Sequence, residues 1–133
     1  MNVNGHYQSL LNRLGQLAHD YQKDAKEFEV YAMRNEEIGF QDIYTLDSAI
    51  IKRQVADQLE DVLAKIKQTS VADKEDMFFL LLQDLREYYL KILQDRDANE
   101  ATMDISLDLT QNIKAILNDK LTSPKLKSSE SHK

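Results

Sequence analysis

The most apolar stretch of the chain lies within residues 70–96. It contains the unbroken run Met77-Phe78-Phe79-Leu80-Leu81-Leu82, followed by Leu85, Tyr88, Tyr89, Leu90, Ile92 and Leu93. A helix that faces one partner needs an apolar stripe only about 100° wide. Six consecutive apolar residues point in every direction around a helix, so this helix is expected to be packed on more than one side. The other segments are therefore expected to pack around it.

Composition favours a single all-α domain. The chain has 133 residues, of which 42% are hydrophobic and 30% charged, with only three glycines and one proline. Leu, Ala, Gln, Lys, Asp and Glu dominate, and these residues favour helices over strands. There is no cysteine, which excludes disulfides, thiol nucleophiles and cysteine-ligated zinc or iron–sulfur sites.

Apolar periodicity divides the chain into four helices, over about residues 4–34, 42–68, 70–95 and 98–121. In the first, Tyr7, Leu14, Tyr21 and Phe28 recur every seven residues, as in coiled coils and bundles. The second is predicted to have one apolar side, made of Ile43, Leu46, Ile50, Val55, Leu59, Val62, Leu63 and Ile66.

The break between the third and fourth helices is predicted from the polar segment 95–100, which contains no Gly or Pro. One long helix over 71–120 is the alternative. Four helices with short connections predict an antiparallel up-down-up-down bundle over residues 1–121. Residues 122–133 contain Pro124 and several serines and lysines, which predicts a disordered basic tail.

Charge and hydropathy indicate which partners the protein can bind and in which compartment it is found. The net charge is −6, and the acids concentrate in residues 72–108. Because an acidic body repels phosphate backbones, nucleic-acid binding is not expected. No apolar run approaches the roughly 18 residues of a membrane span, and no signal peptide is recognisable. A cytoplasmic location is therefore expected, and a bacterial source is assumed.

Motifs for chemistry are absent from the sequence. It contains no phosphate-binding loop, dinucleotide fingerprint, zinc-protease motif or nucleophile elbow. Neither His6 nor His19 follows a Glu by three residues, as the di-metal sites of helical bundles require. No catalytic residue, metal ligand or cofactor is predicted. Arg53 is a weak candidate for a pocket between helices, and an arginine lying along the surface is the alternative.

Two surface features are candidates for protein binding. Glu100, Asp104 and Asp108 form an acidic stripe on the fourth helix, which would suit a basic partner; a solvated face is the alternative. The third and fourth helices also carry more apolar residues than a thin four-helix core needs. The candidate interface comprises Met77, Phe79, Leu80, Leu90, Leu93, Met103, Leu107, Leu117 and Leu121.

The sequence therefore predicts a small cytoplasmic protein that acts by protein–protein interaction as an adaptor, a regulator or an immunity-type binding protein. Self-association, as in a homodimer, is also expected. The predicted architecture is similar to that of bacteriocin immunity proteins, a likeness of architecture and not of any sequence motif. Two alternatives stay open: a small-molecule-binding protein or small all-helical enzyme, and a structural subunit of a phage or secretion assembly.

Overall fold

The computed structural model describes residues 3–39 and 42–121, with the side chains of residues 7–39 and 42–119. The described chain forms four α-helices: α1 Val3–Glu37, α2 Ile43–Gln68, α3 Lys74–Leu93 and α4 Glu100–Leu121. A single turn of 3-10 helix, Val71–Asp73, precedes α3. No strand occurs in these ranges, and the prediction of an all-α four-helix bundle is confirmed. The predicted disordered tail, 122–133, lies outside the described residues.

Local hydrogen bonds determine where the first two helices end and begin. Gly39 has a φ of 74°, a left-handed conformation that glycine adopts without the steric cost of a side chain. Its N–H donates to the carbonyl of Glu36 at 3.0 Å. The Asp42 carboxylate then accepts hydrogen bonds from the Tyr44 N–H at 3.1 Å and the Thr45 hydroxyl at 2.6 Å. The bond from Thr45 is the main reason that the pKa of Asp42 is lowered, and Asp42 caps α2.

The polar segment between α3 and α4 is a turn, so the alternative of one helix over 71–120 is wrong. The Asp95 side chain accepts a hydrogen bond from the Asp97 N–H at 2.9 Å, which competes with helix continuation. Asn99 accepts from the Thr102 N–H at 2.8 Å and caps α4. Short polar side chains thus end the helix where neither glycine nor proline is present.

All four helices contribute to one hydrophobic core. Its buried members are Leu10, Leu14, Ala18, Tyr21, Val55, Ala56, Leu59, Val62, Ile66, Phe78, Phe79, Leu82, Tyr89, Ile105, Leu109, Ile113 and Ile116. Burying each large apolar side chain contributes about 1.5–3 kcal/mol. The last fully buried residue of α1 is Ala25, although the helix continues to Glu37. The last roughly 18 Å of α1 therefore contain no buried residue, although Thr45, Ser48 and Ala49 of the neighbouring α2 are buried.

Cross-helix contacts give the bundle its arrangement. The principal packing partners are α1 with α2 and α3 with α4, and α2 also contacts both α3 and α4. Only a short connection separates Glu37 at the end of α1 from Ile43 at the start of α2, and the two helices pack along each other, so α1 and α2 are antiparallel. Lys52 with Asp24 and Arg53 with Glu29 form ion pairs between them. Tyr44, in the first turn of α2, donates to Asp104 near the start of α4. The α1–α2 and α3–α4 turns therefore lie at the same end of the bundle.

Candidate interaction surface on the first hairpin

The structure distributes the predicted interface residues of α3 and α4 among different environments. Met77, Leu90, Leu93, Met103 and Leu117 are half-buried. Phe79 is only 6% exposed and belongs to the core, so its place in an exposed interface is wrong. Leu80 and Leu107 are 56% and 48% exposed. The side chain of Leu121, the last residue of α4, lies outside the described part.

Leu80 does not join a wider apolar surface on its own helix. On a helix, the neighbours of a residue lie three and four positions away. For Leu80 these are the half-buried Met77 and the exposed Asp76, Gln83 and Asp84. Phe78 and Leu82, each two positions from Leu80, lie on the opposite side of the helix and are buried. The long apolar run thus supplies core residues in one direction and, in the other, one exposed leucine beside the half-buried Met77.

The predicted acidic stripe takes part in contacts within the chain. The Asp108 carboxylate accepts a hydrogen bond from the Tyr21 hydroxyl at 2.5 Å, and the Asp104 carboxylate accepts one from the Tyr44 hydroxyl at 2.7 Å. The bond to Asp104 is the main reason that the pKa of Tyr44 is raised. Burial, with this contact to Asp108, raises the pKa of Tyr21 strongly. Two of the three carboxylates therefore join α4 to α1 and α2, and Glu100 is exposed.

Arg53, the candidate pocket residue, forms a two-pronged contact with Glu29. Its Nη2 lies 2.9 Å from Oε1, and its Nε lies 3.3 Å from Oε2. This hydrogen bonding raises the pKa of Arg53. The side chain borders a groove that is also lined by Ile50, Gln54 and Asp57. An anionic ligand would have to compete with Glu29 for the guanidinium.

A cluster of exposed apolar side chains occurs at the end of the α1–α2 hairpin, where the sequence analysis did not place an interface. Their exposed fractions are between 42% and 77%. The members are Val30, Tyr31, Met33, Ile38, Ile43, Leu46 and Ile50. This concentration lies in the part of the hairpin that extends beyond the last fully buried residue of α1.

Three of these residues form a stripe along α2. Ile43, Leu46 and Ile50 are spaced i, i+3 and i+7, so they share one face of the helix. The buried residues of the same helical segment, Thr45, Ser48 and Ala49, lie on the opposite face. The predicted apolar side of α2 is therefore wrong at its N-terminal end. The five-residue step from Ile50 to Val55 rotates by about 140°, which is the sequence signal that the stripe does not continue into the core.

Met33 of α1 lies on the same flank of the hairpin as this stripe. Met33 is one turn beyond Glu29, and Ile50 is one turn before Arg53. Because Glu29 and Arg53 are bonded across an antiparallel hairpin, moving one turn toward the hairpin end on each helix brings Met33 and Ile50 to the same flank. We call the surface formed by Met33, Ile43, Leu46 and Ile50 the hairpin patch.

Carboxylates outnumber cations around the hairpin patch. Asp47 lies one turn from both Ile43 and Ile50, and Glu37 lies one turn beyond Met33. Asp57 lies close enough to Arg53 to raise its pKa further, after the larger effect of Glu29. The cations of this flank are Lys26 and Arg53, and Arg53 is already paired. The patch is therefore apolar with a net acidic border.

Neither a cluster of metal ligands nor a membrane-spanning helix is found in the described ranges. Within residues 3–39 and 42–121, no three His, Asp or Glu side chains converge as metal ligands would. His19 is exposed on α1. Among the same residues, none of the helices is both long and apolar enough to cross a membrane.

Comparison with known proteins finds no similar protein. The chain matches no protein-family model, no curated protein and no solved structure. Fold and surface therefore define a class only: a small four-helix bundle whose first hairpin carries an exposed apolar patch with an acidic border.

Proposed function

We propose that this chain is a small cytoplasmic binding protein that acts by protein–protein interaction through the hairpin patch. The observation that carries the proposal is the patch itself. Single exposed apolar side chains are ordinary on protein surfaces, whereas adjacent ones with a polar border are typical of interaction sites. Ile43, Leu46 and Ile50 are 70%, 42% and 62% exposed and lie on one face of one helix.

The framework around the patch supports such a role. Lys52 with Asp24 and Arg53 with Glu29 hold α1 to α2 just below the patch. Ala25, Ala49 and Ala56 are buried in the same hairpin, and their small side chains allow helices to approach closely. A surface carried by two helices that are fixed to each other is well suited to binding without prior rearrangement.

The sequence left other functions open, and the α3–α4 surface around Leu107 stays a competing prediction for the binding site. A small-molecule pocket at Arg53 is less favoured, because the guanidinium is engaged by Glu29. The structural-subunit alternative would use the same kind of surface as the present proposal. A capture experiment with matched variants distinguishes the hairpin patch from the α3–α4 surface around Leu107.

Purified full-length protein would be immobilised as wild type, Ile50→Glu, Leu107→Glu and Leu80→Glu, each exposed to the same source extract. We expect a captured protein that is retained by wild type and Leu80→Glu and lost by Ile50→Glu. Loss with Leu107→Glu and retention with Ile50→Glu would move the site to α3–α4. Equal capture by all four proteins, or capture by none, would contradict the proposed function. Circular dichroism of each variant checks that the helices are intact.

A further inference from the structure

We infer that the occupant of the hairpin patch is a basic amphipathic helix of a partner protein. The inference rests on the proposed function and specifies the chemistry of the partner. It follows from the shape of the patch, the charge of its border, and the consequence of placing a second copy of this chain on the same surface.

The shape of the patch suits a helix. From Ile43 to Ile50 the stripe is about 10 Å long, or two turns of α2. Met33 extends it sideways onto α1, so the surface has width as well as length. A partner helix with apolar residues at i, i+3 or i+4, and i+7 presents a stripe of the same length, and this is a recurrent mode of helix recognition.

The border of the patch determines the charge of that helix. The carboxylates of Glu37 on α1 and Asp47 on α2 flank the stripe, and that of Asp57 lies two turns beyond Ile50 on α2. Arg53 is held by Glu29 and is influenced by Asp57 as well, which leaves Lys26 as the other cation of this flank. A partner that brings Lys or Arg beside its apolar stripe gains electrostatic complementarity, whereas an acidic partner meets repulsion.

The same border disfavours a second copy of the chain. A symmetric dimer places the same surface patch of each subunit against its equivalent. Each copy would then bring its own Glu37, Asp47 and Asp57 toward those of its partner, and the whole chain carries a net charge of −6. Like charges at the border of an interface weaken association and select against that partner.

The test uses two fluorescent synthetic helical peptides and the full-length protein. Both peptides carry Leu at i, i+3 and i+7; one has Lys on the flanks of this stripe and the other has Glu. Anisotropy titrations at low and high salt give Kd for each peptide. We expect the Lys peptide to bind at least about ten-fold more tightly at low salt, with the difference shrinking as salt screens the charges. The double variant Asp47→Lys/Asp57→Lys should reverse the preference.

The apolar and charge contributions are separated by a second variant. Leu46→Glu should abolish binding of the Lys peptide, and the control Leu80→Glu should preserve it. Equal binding of both peptides, lost in Leu46→Glu, would overturn the basic partner and leave the proposed function standing. Binding of neither peptide would overturn the inference, as would Lys-peptide binding that survives Leu46→Glu. Sedimentation equilibrium that shows a dimer lost in Leu46→Glu would overturn it in favour of a second copy.

Discussion

The hydroxyl of Tyr21 on α1 donates a hydrogen bond to the carboxylate of Asp108 on α4, with 2.5 Å between the two oxygens. Tyr21 is only 3% exposed, whereas Asp108 lies at the surface. A buried donor thus reaches a charged acceptor at the edge of the core, and the acceptor keeps its access to water. Few contacts join α1 to α4, so this bond is an important link between these two helices.

Replacing Asp108 with alanine should destabilise the protein by about 1–3 kcal/mol, because the buried Tyr21 hydroxyl loses its acceptor. The matched control is Asp104→Ala. Its partner Tyr44 is 38% exposed and can donate to water instead, so a loss below about 1 kcal/mol is expected. Both variants place alanine on the exposed side of α4, so the change in helix propensity cancels. Urea denaturation measures the free energy of unfolding of both variants. Equal losses of stability in Asp108→Ala and Asp104→Ala would contradict the role given to the burial of Tyr21.

Alkaline pH should destabilise the fold. Burial raises the pKa of Tyr89 to about 12, and the pKa values of Tyr7, Tyr21 and Tyr44 are also raised above the ordinary value of 10.0. Below pH 10 these hydroxyls are protonated in both the folded and the unfolded chain, so their contribution is fully present. Above pH 10 only the unfolded chain releases these protons, and stability falls as the pH rises toward the folded-state values.

The slope of this loss can be measured. The buried Tyr21 and Tyr89 each contribute up to about 1.4 kcal/mol per pH unit while only the unfolded chain is ionised. Urea midpoints determined at intervals from neutral pH to about pH 12 should stay level up to about pH 10 and then decline. Tyr89→Phe should make the decline shallower, whereas Tyr31→Phe, at an exposed position, should leave it unchanged. A decline that begins near neutral pH would contradict this account.

The helical class and the bundle follow from local patterns that a sequence displays. The seven-residue recurrence through Leu14 and Tyr21 identifies the core face of α1, and the polar segment 95–100 indicates the break between α3 and α4. The Tyr21–Asp108 bond joins positions 87 residues apart, and periodicity carries no information about such a contact. The hairpin patch is hidden in the sequence for a different reason: Ile43, Leu46 and Ile50 are as apolar as the core residues of α2, and only the angular step of about 140° from Ile50 to Val55 places them on another face.

The apolar run on α3 offers a direct test of which way each residue faces. Phe79 is 6% exposed and makes an edge-to-face contact with Phe78, with ring centroids 4.9 Å apart. Phe79→Ala should cost about 3–5 kcal/mol, since it leaves a cavity in the core. Leu80→Ala, at the next position, should change stability by less than about 0.5 kcal/mol. Similar losses at both positions would mean that Leu80 is also packed.

Lys52 should contribute more to stability than an ordinary surface lysine. Its Nζ lies 3.0 Å from the Asp24 carboxylate and 5.5 Å from the ring centroids of both Tyr21 and Phe28. Lys52→Met keeps an apolar stem but removes the charge, and we expect a loss of about 1–2 kcal/mol. The control is Lys65→Met, which breaks the exposed pair with Asp61 and should cost below about 0.5 kcal/mol. Thermal denaturation of Lys52→Met and Lys65→Met at low and high salt measures the two losses of stability.

Adjacent substitutions on α2 test the orientation of the hairpin patch. Ile50 is 62% exposed, whereas Ala49 is 5% exposed. Ile50→Glu should leave stability within about 0.5 kcal/mol of wild type, because the new carboxylate stays in water. Ala49→Glu should cost several kcal/mol or prevent folding, because the charge is buried without a partner. If Ile50→Glu proved as damaging as Ala49→Glu in urea denaturation, Ile50 would be a core residue and the patch would not exist.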